Sequence, residues 1–152
     1  MIDTAISLWI SDKDPLSIHL LVKSCYQVVR DLGAKKGIAP MSHTMVEERQ
    51  FNLVYDFLRH ASGSVNEGVD FAPSTNGMLL YEVIETFEEL FHKRTVYMKA
   101  FTVYFAFMLT PKFPEFRELA YRELPKGVTD RDFATLDKRA FFAKAVRALL
   151  TV

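Results

Sequence analysis

Three polar side chains recur at every fourth position in one stretch of the sequence. Asn52, Asp56 and His60 are spaced i, i+4 and i+8, so on a helix they share one face. Arg59 adjoins that face, three residues after Asp56. Because a carboxylate beside an imidazole fixes the imidazole tautomer, an Asp56–His60 pair could serve as a catalytic base. The same pair could instead satisfy a structural histidine, and a simple solvated face also explains the pattern.

His19 is the second polar candidate, and it lies near the apolar stripe of a predicted helix. A lone helical histidine is more often a hydrogen-bonded core residue than a ligand. A metal site would need His19 and His60 to converge with Asp56 or a glutamate, and no His-x-x-x-His pair places two imidazoles on one turn. We therefore expect no metal site and no cofactor. The candidate binding cluster consists of His19, Asn52, Asp56, Arg59 and His60.

Other catalytic patterns are missing from the sequence. Cys25 falls on the apolar face of its helix, where a buried thiol is normally inert. The sequence has no Gly-x-Ser-x-Gly motif and no Walker or Gly-x-Gly-x-x-Gly loop that would bind phosphates. Four glutamates share one predicted helix and are interpreted as a solvated face: Glu82, Glu85, Glu88 and Glu89. We therefore assign no catalytic residue.

The composition is that of a folded, electrically neutral chain. A length of 152 residues predicts a single domain, and a hydrophobic content of 49% is too high for a disordered protein. Lys and Arg number 19, as do Asp and Glu, so the net charge is zero. Because nucleic-acid binders usually carry a basic excess, we expect no nucleic-acid partner. Zero net charge also leaves self-association unopposed.

The expected compartment is the cytoplasm. Cys25 is the single cysteine, so no intramolecular disulfide can form. The N-terminal residues 1–4 lack the basic region of a signal peptide. The longest apolar-rich run, 100–109, is about ten residues long, whereas a membrane span needs about 20. We therefore expect no contact with a membrane.

The predicted fold is all-α, an irregular helical bundle of about six or seven helices. Apolar residues recur at helical spacing almost throughout, and strand alternation is nearly absent. Predicted helices cover about 4–10, then Pro15 to a stop at Gly33 or Gly37, then 45–60, 75–92, 96–109, 114–124 and 130–150.

Burial in three of these helices is predicted from their periodicity. The helix 96–109 is apolar nearly all round and should lie at the centre of the bundle. The second helix should bury Ile18, Leu21, Val22, Cys25, Val29 and Leu32. The last helix, 130–150, should bury Phe133, Leu136, Ala140, Ala143 and Val146.

Four short segments together resemble a group of small, uncharacterised bacterial helical proteins that is itself similar to HEPN-type domains. The segments are Asp14-Pro15-Leu16-Ser17-Ile18-His19, Asp56-Phe57-Leu58-Arg59-His60-Ala61, Asp70-Phe71-Ala72-Pro73 and Leu79-Leu80-Tyr81-Glu82. The likeness covers most of the chain, to about Phe113. Family members tend to have Asn-Phe-Phe-Lys-His-Ala in the second segment. Asp56 therefore has a charged carboxylate where the family has the neutral amide of an asparagine. The resemblance implies the helical fold and a homodimer.

The sequence pattern of HEPN nucleases is absent. HEPN ribonucleases and toxins carry an arginine, then four to six residues, then a histidine. No arginine stands at that distance before any of the four histidines: His19, His43, His60 and His92. The resemblance therefore does not carry ribonuclease activity over to this chain.

Two functions follow from these observations. The first is a non-enzymatic helical module that binds a protein partner or a small ligand. The alternative is an HEPN-type ribonuclease or toxin–antitoxin component with a displaced site at Asp56, Arg59 and His60. Adjacent helical residues point about 100° apart, which makes joint action of Arg59 and His60 on one phosphate awkward. We also predict that His60 faces inward, hydrogen-bonded to the loop 61–74 or to the second helix.

Overall fold

The structure, a computed structural model, describes residues 1–38 and 71–151. Within these two ranges the chain is all-helical, with seven helices and no strand, which confirms the predicted fold class. The predicted helix over 45–60 lies outside the described residues. The chain divides into two compact units, Met1–His92 and Lys93–Val152. The expectation that the chain forms a single domain stays a prediction.

The first unit contains α1 (Ile2–Ile10), α2 (Pro15–Lys35) and α3 (Thr75–Phe91). The start of α2 follows the predicted capping chemistry. The Asp14 carboxylate accepts hydrogen bonds from the backbone N–H of Ser17 at 2.8 Å and from its hydroxyl at 2.6 Å. Pro15 occupies the first helical position, where its missing N–H leaves no bond unmade. These two hydrogen bonds lower the pKa of the Asp14 carboxyl below its ordinary value.

Gly37, the second of the two predicted stops, terminates α2. Its backbone has φ +72°, the left-handed conformation that glycine adopts without steric cost. The Ile38 N–H returns to the carbonyl of Gly33 at 2.9 Å, and the Gly37 N–H returns to that of Ala34 at 3.2 Å. These bonds satisfy carbonyls that have no partner within the helix. Gly33 therefore lies inside the last turn of α2 and does not end it.

The buried face of α2 is rotated from the predicted one. This helix packs mainly on α3, and α1 packs on both. Leu21 is only half-buried and Leu32 is 37% exposed, although both were predicted to lie in the core. The core of the unit instead takes in His19 and Lys23, on the other side of the apolar stripe. The apolar stripe is wider than one neighbouring helix can cover, so packing decides which of its two edges is buried.

The second unit contains α4 (Val96–Leu109), α5 (Phe116–Arg122), α6 (Asp130–Thr135) and α7 (Lys138–Leu150). Helix α4 has the predicted bounds and contacts each of the other three helices. It buries residues around most of its circumference, among them Phe101, Val103, Phe105 and Ala106, and leaves Tyr97 and Met108 partly exposed. The predicted central place of this helix is therefore confirmed within the second unit.

The prediction of one continuous helix over 130–150 is wrong. Leu136 is extended, with φ −92° and ψ 147°, and Asp137 starts a new helix by accepting from the Ala140 N–H at 2.9 Å. This break shifts the helical register, so Phe141, Phe142 and Ala145 are buried in α7. Of the residues predicted to be buried there, Ala143 and Leu136 are exposed, and the other three are half-buried.

No helix among the described residues is long and apolar enough to cross a membrane.

Candidate functional site

Only one residue of the predicted binding cluster lies in the described part of the chain. His19 is on α2, whereas Asn52, Asp56, Arg59 and His60 lie outside the described residues. Their convergence with His19, and the predicted inward orientation of His60, therefore stay predictions. The candidate site in the described part of the chain consists of His19 and the groups around it.

His19 is enclosed between α2 and α3. Its side chain is 1% exposed, and its Nδ1 atom lies 2.9 Å from Oδ1 of Asn76. Asn76 is also 1% exposed. The imidazole ring packs against Phe71 in a T-shaped arrangement, with ring centroids 5.3 Å apart and an interplanar angle of 73°. The hydrogen bond to Asn76 and the packing against Phe71 thus both fix the histidine ring.

The orientation of Asn76 determines the proton position on His19. The Asn76 Nδ2 atom donates to the backbone carbonyl of Pro15 at 2.8 Å. A carbonyl can only accept, so the amide nitrogen must face Pro15, and the amide oxygen must face His19. Nδ1 of His19 therefore carries the proton of this hydrogen bond. This chain of two bonds links the first turn of α2 to the first turn of α3.

Lys23 continues the polar side of α2 one turn after His19. Its side chain is 1% exposed, and its ammonium lies 4.7 Å from the centroid of the Tyr26 ring. Arg30 approaches the same ring, at 6.0 Å. An ammonium over a tyrosine face is attracted by the ring quadrupole, by about 2 kcal/mol or more when desolvated. His19, Lys23 and Tyr26 therefore lie together on one buried side of α2.

Sequence reasoning missed Lys23, Tyr26 and Asn76. A lysine is almost never fully buried unless it is paired, so composition rules place Lys23 in solvent. The available signal was spacing, because Lys23 follows His19 by four residues and shares its helical face. No comparable signal links Asn76 to His19, since the two lie 57 residues apart in the chain.

The glutamates of α3 differ from the predicted solvated face. Glu89 is exposed, but Glu82, Glu85 and Glu88 are half-buried. An open groove of about 540 Å³ lies beside these glutamates, and it is lined by Glu85, Glu88, Glu89 and His92. Glu89 and His92 are three residues apart, a spacing that sequence reasoning passed over. Even so, no group of three or more His, Cys, Asp or Glu side chains in the described ranges could hold a metal ion.

Cys25 is placed as its sequence position predicts. The thiol is on the core side of α2, and the residue is 2% exposed. Burial raises the pKa of the Cys25 thiol above its ordinary value. A thiol held protonated in an apolar environment is a poor nucleophile.

Comparison with known proteins adds no family to this description. No family model matches the chain, and neither the curated proteins nor the solved structures contain a significant match.

Proposed function

We propose that the protein is a non-enzymatic helical module that binds a protein partner or a small ligand. The observation that carries the proposal is the confinement of His19. Its Nδ1–H is committed to Asn76, and its ring is 1% exposed. A general base must come within hydrogen-bond distance of a substrate proton, which an enclosed imidazole does not reach. In the described part of the chain, this histidine therefore serves to join α2 to α3.

The proposed partner includes a second copy of the chain. Zero net charge does not oppose self-association. On α2, Val28 is 51% exposed and Leu32, one turn later, is 37% exposed. Light scattering at tens of micromolar should give about twice the chain mass of 17.5 kDa. A single species of monomer mass would remove the homodimer from the proposal.

The alternative is an HEPN-type ribonuclease with a displaced site at Asp56, Arg59 and His60. A fluorogenic RNA assay separates the two functions. We expect no cleavage by the purified protein. Cleavage that disappears in both Arg59→Ala and His60→Ala would overturn the binding-module proposal in favour of the ribonuclease. Cleavage that survives in both variants would indicate a contaminating nuclease and would leave the proposal in place.

A further inference from the structure

Asn76 is followed directly by Gly77, and this pair of residues is chemically labile. Asparagine is thermolabile, because its side-chain amide can be attacked by the backbone nitrogen of the next residue. Glycine in that next position has no Cβ, so its nitrogen is the least hindered. The other two asparagines, Asn52 and Asn66, precede a leucine and a glutamate, whose side chains hinder the same attack. In an unfolded chain, Asn76 is therefore the asparagine that loses its amide most readily.

The reaction consumes one water molecule and releases one ammonia. Hydroxide removes the proton from the backbone nitrogen of Gly77, and this nitrogen attacks the side-chain carbonyl carbon of Asn76. The bond from that carbon to the amide nitrogen breaks, and ammonia leaves with a proton from water, which regenerates the hydroxide. Water then opens the resulting five-membered imide at either of its two carbonyls. The product is aspartate or isoaspartate, in which the main chain runs through the side-chain carbon.

The helical backbone keeps the two reacting atoms apart in the folded protein. Asn76 and Gly77 are the second and third residues of α3, and both are buried. Ring closure requires Cβ of Asn76 and the nitrogen of Gly77 to be nearly eclipsed about the Cα–C bond, which a helical ψ of about −42° does not allow. Burial also keeps hydroxide and water away, since Asn76 is 1% exposed.

Two hydrogen bonds to the other helix hold the side chain of Asn76. Its Oδ1 atom accepts from Nδ1 of His19 at 2.9 Å, and its Nδ2 atom donates to the carbonyl of Pro15 at 2.8 Å. The side chain must rotate toward its own backbone before its carbonyl carbon can be attacked, so these bonds must break first. The link between α2 and α3 therefore protects the amide as well as joining the helices.

The protected pair lies where a helix opens most easily. Residues in the first turn of a helix fray before those in its middle. Gly77 adds to this tendency, because glycine loses more backbone freedom in a helix than any other residue. When the turn opens, the Gly77 nitrogen meets solvent and the Asn76 side chain is free to rotate. The reaction rate in the folded protein should therefore follow the fraction of molecules in which this turn is open.

We propose that Asn76 is a site of spontaneous deamidation, which its hydrogen bonds to His19 and Pro15 protect and whose reaction loosens the junction of α2 and α3. The carboxylate product can only accept, so one of its oxygens faces the Pro15 carbonyl where Nδ2 donated before. Isoaspartate also lengthens the main chain in the first turn of α3. This inference goes beyond the proposed function and does not depend on it, because it concerns the stability of the first unit whatever that unit binds.

The test is peptide mass mapping of the full chain after incubation at mildly alkaline pH, in native buffer and in concentrated guanidinium chloride. Deamidation raises the mass of the peptide by one dalton, fragmentation locates the site, and chromatography separates aspartate from isoaspartate. In guanidinium, Asn76 should react several-fold faster than Asn66 of the same chain. In native buffer, Asn76 should react at least about tenfold more slowly than in guanidinium, because the opened turn is a minor population.

Variants separate protection by the fold from the chemistry of the pair. His19→Ala removes one of the two hydrogen bonds of Asn76, so it should raise the native rate at least about twofold and leave the rate in guanidinium unchanged. Glu89→Ala, at an exposed position of α3, is the matched control and should change neither rate. Gly77→Ala should slow the reaction in guanidinium several-fold, where folding plays no part.

Two further measurements complete the test. Circular dichroism shows whether His19→Ala is folded. If it is not, wild type in guanidinium below its unfolding midpoint takes its place, and the rate should rise with denaturant. Asn76→Asp carries the product from the start and should have a lower unfolding midpoint than wild type.

Several results would overturn the inference. These are equal rates at Asn76 in native buffer and in guanidinium, a native rate that neither His19→Ala nor mild denaturant raises, or a faster reaction at Asn66 in guanidinium. A rate in guanidinium that Gly77→Ala leaves unchanged would rule out the imide route. Wild-type stability of Asn76→Asp would show that the reaction does not loosen the junction.

Discussion

His19 and Asn76 are 57 residues apart in the chain and share a hydrogen bond of 2.9 Å in the core of the first unit. The bond joins α2 to α3 close to the point where each helix begins. Since Asn76 also donates to Pro15, one amide side chain ties the histidine ring to the backbone of its own helix. His19, the second polar candidate of the sequence, is thereby engaged in holding two helices together.

The first prediction concerns this link. Asn76→Ala should lower the free energy of unfolding by roughly 1–3 kcal/mol, because it leaves a buried donor on His19 and a half-buried carbonyl on Pro15 without this partner. Urea denaturation measures the change. Glu89→Ala, at an exposed position of the same helix, is the control and should change stability by less than about 0.5 kcal/mol. Equal effects of the two substitutions would mean that the His19–Asn76 bond contributes no stability.

The second prediction concerns the buried Lys23. Lys23→Met keeps the length of the aliphatic chain and removes the charge, whereas Lys23→Ala also leaves a cavity. Because a well-packed apolar side chain often replaces a buried ion at little cost, Lys23→Met should be clearly less destabilising than Lys23→Ala. We expect a loss of about 2–4 kcal/mol for the alanine variant in the same urea experiment. If both variants lost the same stability, the core would require the ammonium itself and not the volume of its chain.

The third prediction concerns acid stability of the second unit. The hydrogen bond from Lys144 and those from Thr129 hold the pKa of the Asp132 carboxyl below its ordinary value of 3.8. A carboxyl whose pKa is lower in the folded state stabilises the fold above its unfolded-state pKa and loses this effect as the pH falls through the folded-state value. Stability should therefore fall on acidification below about pH 4, and Asp132→Asn should reduce that pH dependence. Thermal melts between neutral pH and pH 3 measure it.

The control for the acid experiment is Glu118→Gln, an exposed carboxyl of α5. It should leave the slope of stability against pH nearly as it is in the wild type. An acid transition of the same size in wild type and Asp132→Asn would show that other carboxyls govern the response.

The fourth prediction concerns the break between α6 and α7. Asp137→Ala removes the carboxylate that accepts from the Ala140 N–H, so unfolding free energy should fall by about 1 kcal/mol. Asp137→Ser, which can still cap a helix, should restore most of the loss. Guanidinium denaturation of the three proteins makes the comparison. If serine behaved like alanine, capping would not be the role of Asp137.

Local rules were sufficient to predict much of the fold. Asp14 and Pro15 start α2 as predicted, because capping depends only on a side-chain acceptor and the next few backbone N–H groups. Helix α4 has its predicted bounds. It also packs against the other helices of its unit as predicted, because a helix that is apolar on nearly every side must be covered. The local rule failed over 130–150, where the periodicity of the apolar residues outweighed the capping signal of Asp137 in the prediction.

The sequence by itself determined the helical class, most helix ends and the inert position of Cys25, all of which depend on neighbours within about one turn. Only the tertiary structure decided which edge of α2 is buried, because packing on α3 selects between two edges that periodicity cannot distinguish. It likewise decided that His19 meets Asn76. Those outcomes depend on contacts between residues far apart in the chain, about which a local pattern carries no information.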